Sequence, residues 1–205
     1  MSMPALFDAR TPQDLSSLVH GFPFAQIVCR DGEGLRASPL PVLPELAPDG
    51  TITGLRGHFA RANPQVEALR RDPRALAIFT GPHAYISPSW LTDRGQVATW
   101  NYAMAQFEVR IRLIDDAEII AADLTDLIAA MEADRPSPWS MEEIGPRRHA
   151  LFRRIIGFHA EVLISRARFK LGQDERRDVF ADMVAGLRAQ GGGALADLMM
   201  AFAAG

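Results

Sequence analysis

The alternation of apolar and polar positions predicts two long strands in this chain. From Thr99 to Leu113, apolar side chains such as Phe107 and Val109 alternate with charged ones, which is the pattern of a strand with one buried face. The segment from Gly157 to Lys170 alternates in the same way, so we expect a second long strand there. Its apolar face is predicted to carry Phe158, Ala160, Val162 and Ile164.

Shorter apolar runs predict the other strands. Phe24 to Cys29 is followed by a glycine-containing turn at Asp31 to Gly34, which predicts a hairpin into Leu35 to Leu43. Four prolines in and just after this second segment deny donors to a sheet, so we expect an edge strand or a broken one. Two more strands are predicted, Thr51 to Phe59 and Leu76 to Thr80, and Gly81-Pro82 is expected to end the second.

Cap residues and apolar spacing predict helices between these strands. Asn63 is a favoured N-cap and Pro64 a favoured first residue, so a helix begins there, and we expect it to end at Asp72-Pro73. An amphipathic helix follows Asp115-Asp116, whose carboxylates favour the positive end of a helix. A further helical stretch is predicted around Glu142 to Arg154.

The order of these elements predicts an α+β fold. Strands and helices are segregated rather than alternating, which favours an antiparallel sheet or barrel with helices packed outside it over a βαβ fold. Near the C-terminus, helical spacing is interrupted by Gly191-Gly192-Gly193, which predicts a helical hairpin or a helix with a flexible joint. We expect one main domain, residues 1–174, and a helical extension, residues 175–205.

Composition narrows the classes of function. With 205 residues and 48% hydrophobic content, the chain can bury one continuous core. A net charge of -3 disfavours direct binding to nucleic acid. The sequence lacks a membrane-spanning stretch and a signal peptide, so we expect a cytoplasmic protein. The only cysteine is Cys29, which excludes an intrachain disulfide. We assign no metal, because no metal-ligand spacing relates His20, His149 and His159.

The segment from Gly57 to Pro64 is arranged like an anion-binding site. It places a strand end, Arg61 and a helix start within a few residues, and an arginine can donate two parallel hydrogen bonds to a phosphate. The same pattern is also typical of a capped helix with a solvent-facing arginine. The local pattern alone does not decide between a phosphate site and a structural cap.

Three segments together resemble the PaiB family of FMN-binding proteins, which are described as negative transcriptional regulators. The family pattern reads GHLARANPQ, then ALAIFxGPHAYISPSWY, then VPTWNY, and this chain keeps most of it between Gly57 and Tyr102. The resemblance implies the antiparallel split β-barrel of pyridoxamine-phosphate-oxidase-like flavoproteins. It also implies a homodimer that holds FMN between its two subunits.

The resemblance implies a set of cofactor-binding residues. The phosphate-end candidates are His58, Arg61, Ala62 and Asn63. The candidates for the ring and ribityl side are His83, Tyr85, Ser87, Trp90, Thr99, Trp100, Asn101 and Tyr102, and the positive charge of the family's last motif is kept at Arg168 and Lys170. Aromatic rings offer a flat apolar surface to a flavin, and amides and hydroxyls can pair with its carbonyl and N–H groups. Aromatic residues in strands also commonly belong to a core, and an isolated histidine such as His83 is commonly structural.

Several residues depart from the family pattern. They are Ser2 and Leu6 near the start, Pro39 in the second strand, Leu91 and Ala98 between the second and third motifs, and Gly172 and Asp174 near the last strand. These departures leave three interpretations open. The chain is a PaiB-like regulator that binds FMN, a flavin-dependent oxidoreductase of the same fold, or a barrel that has lost FMN and serves as a scaffold.

Overall fold

The computed structural model describes residues 5–32 and 34–204, without the side chain of His149; Ser2 and Glu33 therefore lie outside the described residues. Six antiparallel strands close into a barrel in the order β1-β2-β3-β6-β5-β4. The strands are β1 (Phe24–Asp31), β2 (Gly34–Leu46), β3 (Ile52–Ala60), β4 (Arg74–Ile86), β5 (Thr99–Ile114) and β6 (Ile155–Lys170). The predicted antiparallel barrel with peripheral helices is confirmed.

Helices cover the ends and one side of the barrel. They are α1 (Pro12–Gly21), α2 (Pro64–Arg71), α3 (Ala117–Glu132), α4 (Arg148–Phe152), α5 (Arg177–Ala189) and α6 (Gly193–Ala204). Asn63 caps α2 and Asp116 caps α3, as predicted. In the described part of the chain, no helix combines the length and apolar character that crossing a membrane requires.

The predicted edge character of the proline-containing second strand is confirmed for each half of β2, whereas the prediction that Gly81-Pro82 ends the later strand is wrong. β2 is continuous, but residues 34–41 pair with β1 and residues 42–46 pair with β3. At each proline, one side of β2 has no neighbouring strand, so the missing backbone N–H group leaves no carbonyl of a neighbouring strand without a donor on that side. β4 continues through Gly81-Pro82 by means of a bulge between Thr80 and His83.

The prediction for the apolar face of β6 is wrong at one position. Phe158 and Ala160 are buried, whereas Ile164 is 41% exposed. The register between β5 and β6 shifts between Glu108 and Val109, so that Leu163 has no partner on β5. This extra residue turns Ile164 to the outer face of the barrel.

The core fills the barrel with aromatic and branched side chains. Phe79 and Phe107 meet edge to face at 5.7 Å between ring centroids, and Phe59 and Phe158 pack at 5.2 Å. All four rings are fully buried. Removing one such ring typically costs about 3–5 kcal/mol, so these pairs set much of the stability of the barrel.

The C-terminal residues form a hairpin of α5 and α6, as predicted. The hairpin packs against the end of β6. There the rings of Phe169 of β6 and Phe202 of α6 stack with their centroids 5.1 Å apart. Trp90 packs against Gly186 of α5 so closely that a Cβ added at Gly186 would lie 2.7 Å from the indole ring. α1 was not predicted, although Thr11 and Asp14 form a capping box at its start.

Candidate functional site

The predicted site residues fall into two groups at different places on the barrel. One group surrounds a cavity at the start of α2, which we call the helix-start cavity. It is a shallow depression, open to solvent, with a volume of about 660 Å³, and it is lined by Arg36, Ala37, Ser38, Ala60, Ala62, Asn63, Pro64 and Gln65. The other group lies on the outer side of β4, β5 and β6, and we call it the aromatic face. Its members are His83, Tyr85, Trp100, Tyr102 and Lys170.

The helix-start cavity is built by the cap of α2. Asn63 Oδ1 accepts a hydrogen bond from the Gln65 N–H at 2.9 Å, and Asn63 Nδ2 donates to Ser38 Oγ at 2.8 Å. The Val66 N–H is also bonded, to the Asn63 carbonyl at 3.0 Å. Because the cap already uses these N–H groups, an anion in the cavity would depend on side-chain donors, chiefly the guanidinium of Arg36 and the hydroxyl of Ser38.

Arg36 is the cation of this cavity, and sequence reasoning missed it. Its guanidinium pairs with Asp31, which also accepts a hydrogen bond from Arg71 Nη2 at 2.9 Å. The hydrogen bond from Arg36 lowers the pKa of the Asp31 carboxyl, and Arg71 adds to the effect. The Arg36 side chain is 49% exposed, so it can leave Asp31 for a ligand without losing a buried contact.

Arg61 directly precedes the cavity residues Ala62 and Asn63 in sequence, but its guanidinium binds partners elsewhere. Its Nη1 donates to Asp115 Oδ2 at 2.9 Å, its Nε to the carbonyl of Arg153 at 3.0 Å, and its Nη2 to the carbonyl of Ile155 at 2.9 Å. The hydrogen bond with Asp115 raises the pKa of Arg61. These contacts join the loop before α2 to the ends of β5 and β6.

His58 also lies outside the helix-start cavity. It faces α3, near Arg56 and Asp123, and burial lowers the pKa of its imidazole. Asp123 binds Arg56 Nη1 at 2.9 Å and His159 Nε2 at 2.8 Å, so this polar cluster fastens α3 to the barrel. Of the four phosphate-end candidates, the cavity therefore contains Ala62 and Asn63.

The aromatic face gathers three predicted residues at the projecting end of β4 and β5. The Trp100 ring lies 6.2 Å from His83, nearly parallel at 28°, and 6.2 Å from Tyr85 in an edge arrangement. Trp100 is 54% exposed and Tyr85 46%. Large aromatic side chains this exposed are available to a planar ligand or a partner surface.

Positive charge lies beside the aromatic face on β6. Lys170 is opposite Tyr102, and its Nζ donates to Thr99 Oγ1 and to the carbonyl of Trp100 at 3.1 Å. Arg168 pairs with Asp8 at 2.7 Å and borders a second cavity, of about 660 Å³, together with Tyr102. The aromatic face therefore joins flat apolar surface to cationic groups within one continuous part of the barrel.

Three of the predicted ring-side residues lie away from the aromatic face. Asn101 points to the opposite side of β5, where it is 1% exposed beneath α6, and its Nδ2 lies 3.7 Å from Met199 Sδ. Its Oδ1 has no hydrogen-bond partner among the described residues. Ser87 caps the short 3₁₀ helix Pro88–Trp90, and Trp90 packs on α5. A binding role for these three residues stays a prediction.

The helix-start cavity and the aromatic face are far apart within one chain. Across the sheet, Ser38 of β2 pairs with Ile27 of β1, Ile27 pairs with Ala77 of β4, and Ala77 pairs with Phe107 of β5. Ser38 and Phe107 are therefore three strand spacings apart, or about 14 Å. Phe107 and Trp100 are seven residues apart on β5, or about 23 Å. The two groups are therefore separated by roughly 25 Å over the curved surface of the barrel.

Comparison with known proteins identifies the family. Residues 1–163 match the model of the family described as "Putative FMN-binding domain". The protease synthase and sporulation protein PAI 2 of Bacillus subtilis is 27% identical over 185 residues, which cover 90% of this chain and 87% of that protein.

Solved flavoproteins share the fold at low sequence identity. The FAD and heme binding protein from Mycobacterium smegmatis matches with a TM-score of 0.58 and 14% identity, over 87% of this chain and 80% of its own. The flavocytochrome Anf3 from Azotobacter vinelandii matches with a TM-score of 0.59 and 12% identity, over 82% of this chain and 72% of its own. At this level of identity the likeness establishes the fold.

Proposed function

Because the chain belongs to this family of FMN-binding domains, its cofactor is FMN, and we propose that it acts as a homodimer that binds FMN between its two subunits. In this proposal the helix-start cavity of one subunit receives the phosphate. The aromatic face of the other subunit receives the isoalloxazine ring.

The chemistry of each group fits its part of the cofactor. Arg36, Ser38 and Asn63 offer a cation, a hydroxyl and an amide, which are the donors that a phosphate prefers. Trp100 and Tyr85 offer exposed flat rings, and Lys170 and Tyr102 add polar groups beside them. A bound flavin would supply the hydride or electron transfer, while these side chains bind and orient it.

The separation of the two groups is the observation that carries the proposal. One mononucleotide cannot extend over roughly 25 Å of barrel surface to touch both groups in one chain. A two-fold dimer removes this difficulty, because the same patches occur on both subunits and each can complement the other.

A regulatory output is the second candidate function, and it is supported by the Bacillus relative, whose name connects it with protease synthesis and sporulation. The net charge of -3 argues against long contacts with DNA phosphates. We therefore propose that the regulatory role depends on flavin binding rather than on an independent DNA-binding surface. The single cysteine, Cys29, is free and buried, in keeping with a cytoplasmic protein.

Titration with FMN tests the proposal directly. Purified protein is titrated while the flavin absorbance and fluorescence are followed, and its mass is measured by analytical ultracentrifugation. The proposal expects one FMN per chain in a dimer, and Arg36→Ala is expected to weaken binding about tenfold or more, because it removes a charged donor. Failure to bind FMN would favour the scaffold interpretation. Turnover of a nicotinamide substrate by the flavin-loaded protein would favour an oxidoreductase.

A mobility-shift titration tests the regulatory candidate. DNA fragments from upstream of the protein's own coding region are mixed with apo and FMN-loaded protein at low salt. The candidate expects a shift that depends on the flavin. A shift that is equal for random DNA, and that disappears at moderate salt, would indicate nonspecific attraction only.

A further inference from the structure

Gln65 is a buried polar side chain in the first turn of α2. It is 1% exposed, and its Nε2 donates to the carbonyl oxygens of Ile27 at 3.0 Å and Arg36 at 3.3 Å. The same nitrogen lies 3.3 Å from Cys29 Sγ. Because Ile27 belongs to β1 and Arg36 to β2, one amide group joins two strands to α2.

Of the two acceptors, Arg36 lies where the sheet is interrupted, whereas Ile27 pairs with both β2 and β4. Residues 34–41 of β2 pair with β1 alone, and pairing with β3 begins at Val42. The hydrogen bond from Asn63 to Ser38 crosses the same gap. The start of α2 therefore stands where a further strand would otherwise pair with this half of β2.

Packing alone does not account for a glutamine at this position. Oε1 of Gln65 is buried and accepts no hydrogen bond from the residues that the structure describes. An unsatisfied buried acceptor is unfavourable, and an apolar side chain of similar length would avoid it. Gln65 must therefore contribute through its amide nitrogen, which donates a hydrogen bond to the carbonyl oxygen of Arg36.

We infer that Gln65 is a positioning residue for phosphate recognition. Its amide holds the part of β2 that pairs with β1 alone against α2, so that the guanidinium of Arg36 and the hydroxyl of Ser38 stay in the helix-start cavity. This inference rests on the proposed function, in which that cavity receives the phosphate of FMN. Gln65 acts through Arg36 and Ser38, and it sets the preference for FMN over riboflavin, which lacks the phosphate.

The affinity ratio of FMN to riboflavin tests this inference. Dissociation constants for both flavins are measured by fluorescence titration for the full chain, for Gln65→Leu and for a control, Gln190→Leu, at the exposed residue that follows α5. Gln65→Leu is expected to weaken FMN about tenfold and riboflavin less than about twofold, because loss of the two hydrogen bonds loosens only the phosphate end. Gln190→Leu is expected to leave both constants unchanged.

Two results would overturn the inference. Equal weakening of both flavins would mean that Gln65 supports the fold in general, and unchanged binding of both would mean that the amide positions nothing. If Gln65→Leu does not fold, Gln65→Glu decides, because it keeps the side-chain length while placing an acceptor against two carbonyls. It should lower the same ratio. If the wild-type protein binds FMN no more tightly than riboflavin, both the inference and the assignment of the cavity to the phosphate are refuted. If the wild-type protein and Gln65→Leu both prefer FMN to the same degree, only the inference is refuted.

Discussion

A site shared between subunits should be restored by mixing two different inactive chains. The cavity variant is Arg36→Ala, which removes the cation of the helix-start cavity, and the face variant is Trp100→Ala, which removes the most exposed ring of the aromatic face. Each homodimer should bind FMN weakly. A mixed dimer, in contrast, contains one site with both halves intact and one with both halves altered.

The expected magnitude follows from this geometry. Random pairing of equal amounts gives mixed dimers as half of the population, and one site in two of each mixed dimer is intact, so about a quarter of all sites recover wild-type affinity. If one chain held the complete site, no site would recover. Loss of Arg36 or Trp100 should weaken FMN about tenfold or more, so intact and altered sites separate as two phases of a titration.

The assay uses coexpressed chains with different affinity tags and a fluorescence titration of the purified mixture. A control coexpresses the wild-type chain with a chain that carries both substitutions. A shared site then leaves about a quarter of sites intact, whereas a site within one chain leaves about half. An outcome of zero recovery in the first mixture and one half in the control would refute the shared site.

Three further predictions concern single residues. Arg61→Ala should lower the melting temperature, because it removes the hydrogen bonds to Asp115 and to two backbone carbonyls. It should change the FMN dissociation constant less than about twofold, against about tenfold for Arg36→Ala. A larger effect of Arg61→Ala than of Arg36→Ala in a flavin titration would indicate Arg61 as the phosphate ligand. Gly186→Ala should destabilise the protein by about 1–3 kcal/mol, because its Cβ would lie 2.7 Å from Trp90, whereas Gly193→Ala, which meets nothing within 4 Å, should be neutral or stabilising; urea unfolding compares the two, and equal effects would contradict the packing argument. Burial lowers the pKa of His58, so below about pH 6.5 the unfolded chain binds a proton more readily than the folded chain, and stability falls as the pH decreases. His58→Gln should therefore reduce the change in urea midpoint between pH 7.5 and 5.5. An equal change in the variant and the wild type would exclude His58 as the cause of this pH dependence.

Local signals predicted the fold where the structure obeys local rules. Asn63 and Asp116 cap helices because their side chains reach N–H groups two or three residues ahead, and β5 alternates because one of its faces is buried throughout. The failures occur where pairing depends on distant segments. β4 continues past Gly81-Pro82 because a bulge between Thr80 and His83 preserves its pairing with β5, which the sequence of β4 alone does not indicate.

The candidate site shows the same division between local and distant information. The motif around Asn63 correctly marks the wall of a cavity, but it also contains Arg61, whose partner Asp115 is 54 residues away and outside every recognised motif. Arg36 was overlooked because it lies in a segment that departs from the family pattern at Pro39, and hydrogen bonds from Gln65 and Asn63 bring this part of β2 to α2. A motif marks a stretch of chain. Which of its side chains faces the ligand depends on tertiary partners. Both arginines form an ion pair, but Arg61 also donates to two backbone carbonyls, so exchanging Asp31 for an anion costs Arg36 fewer contacts.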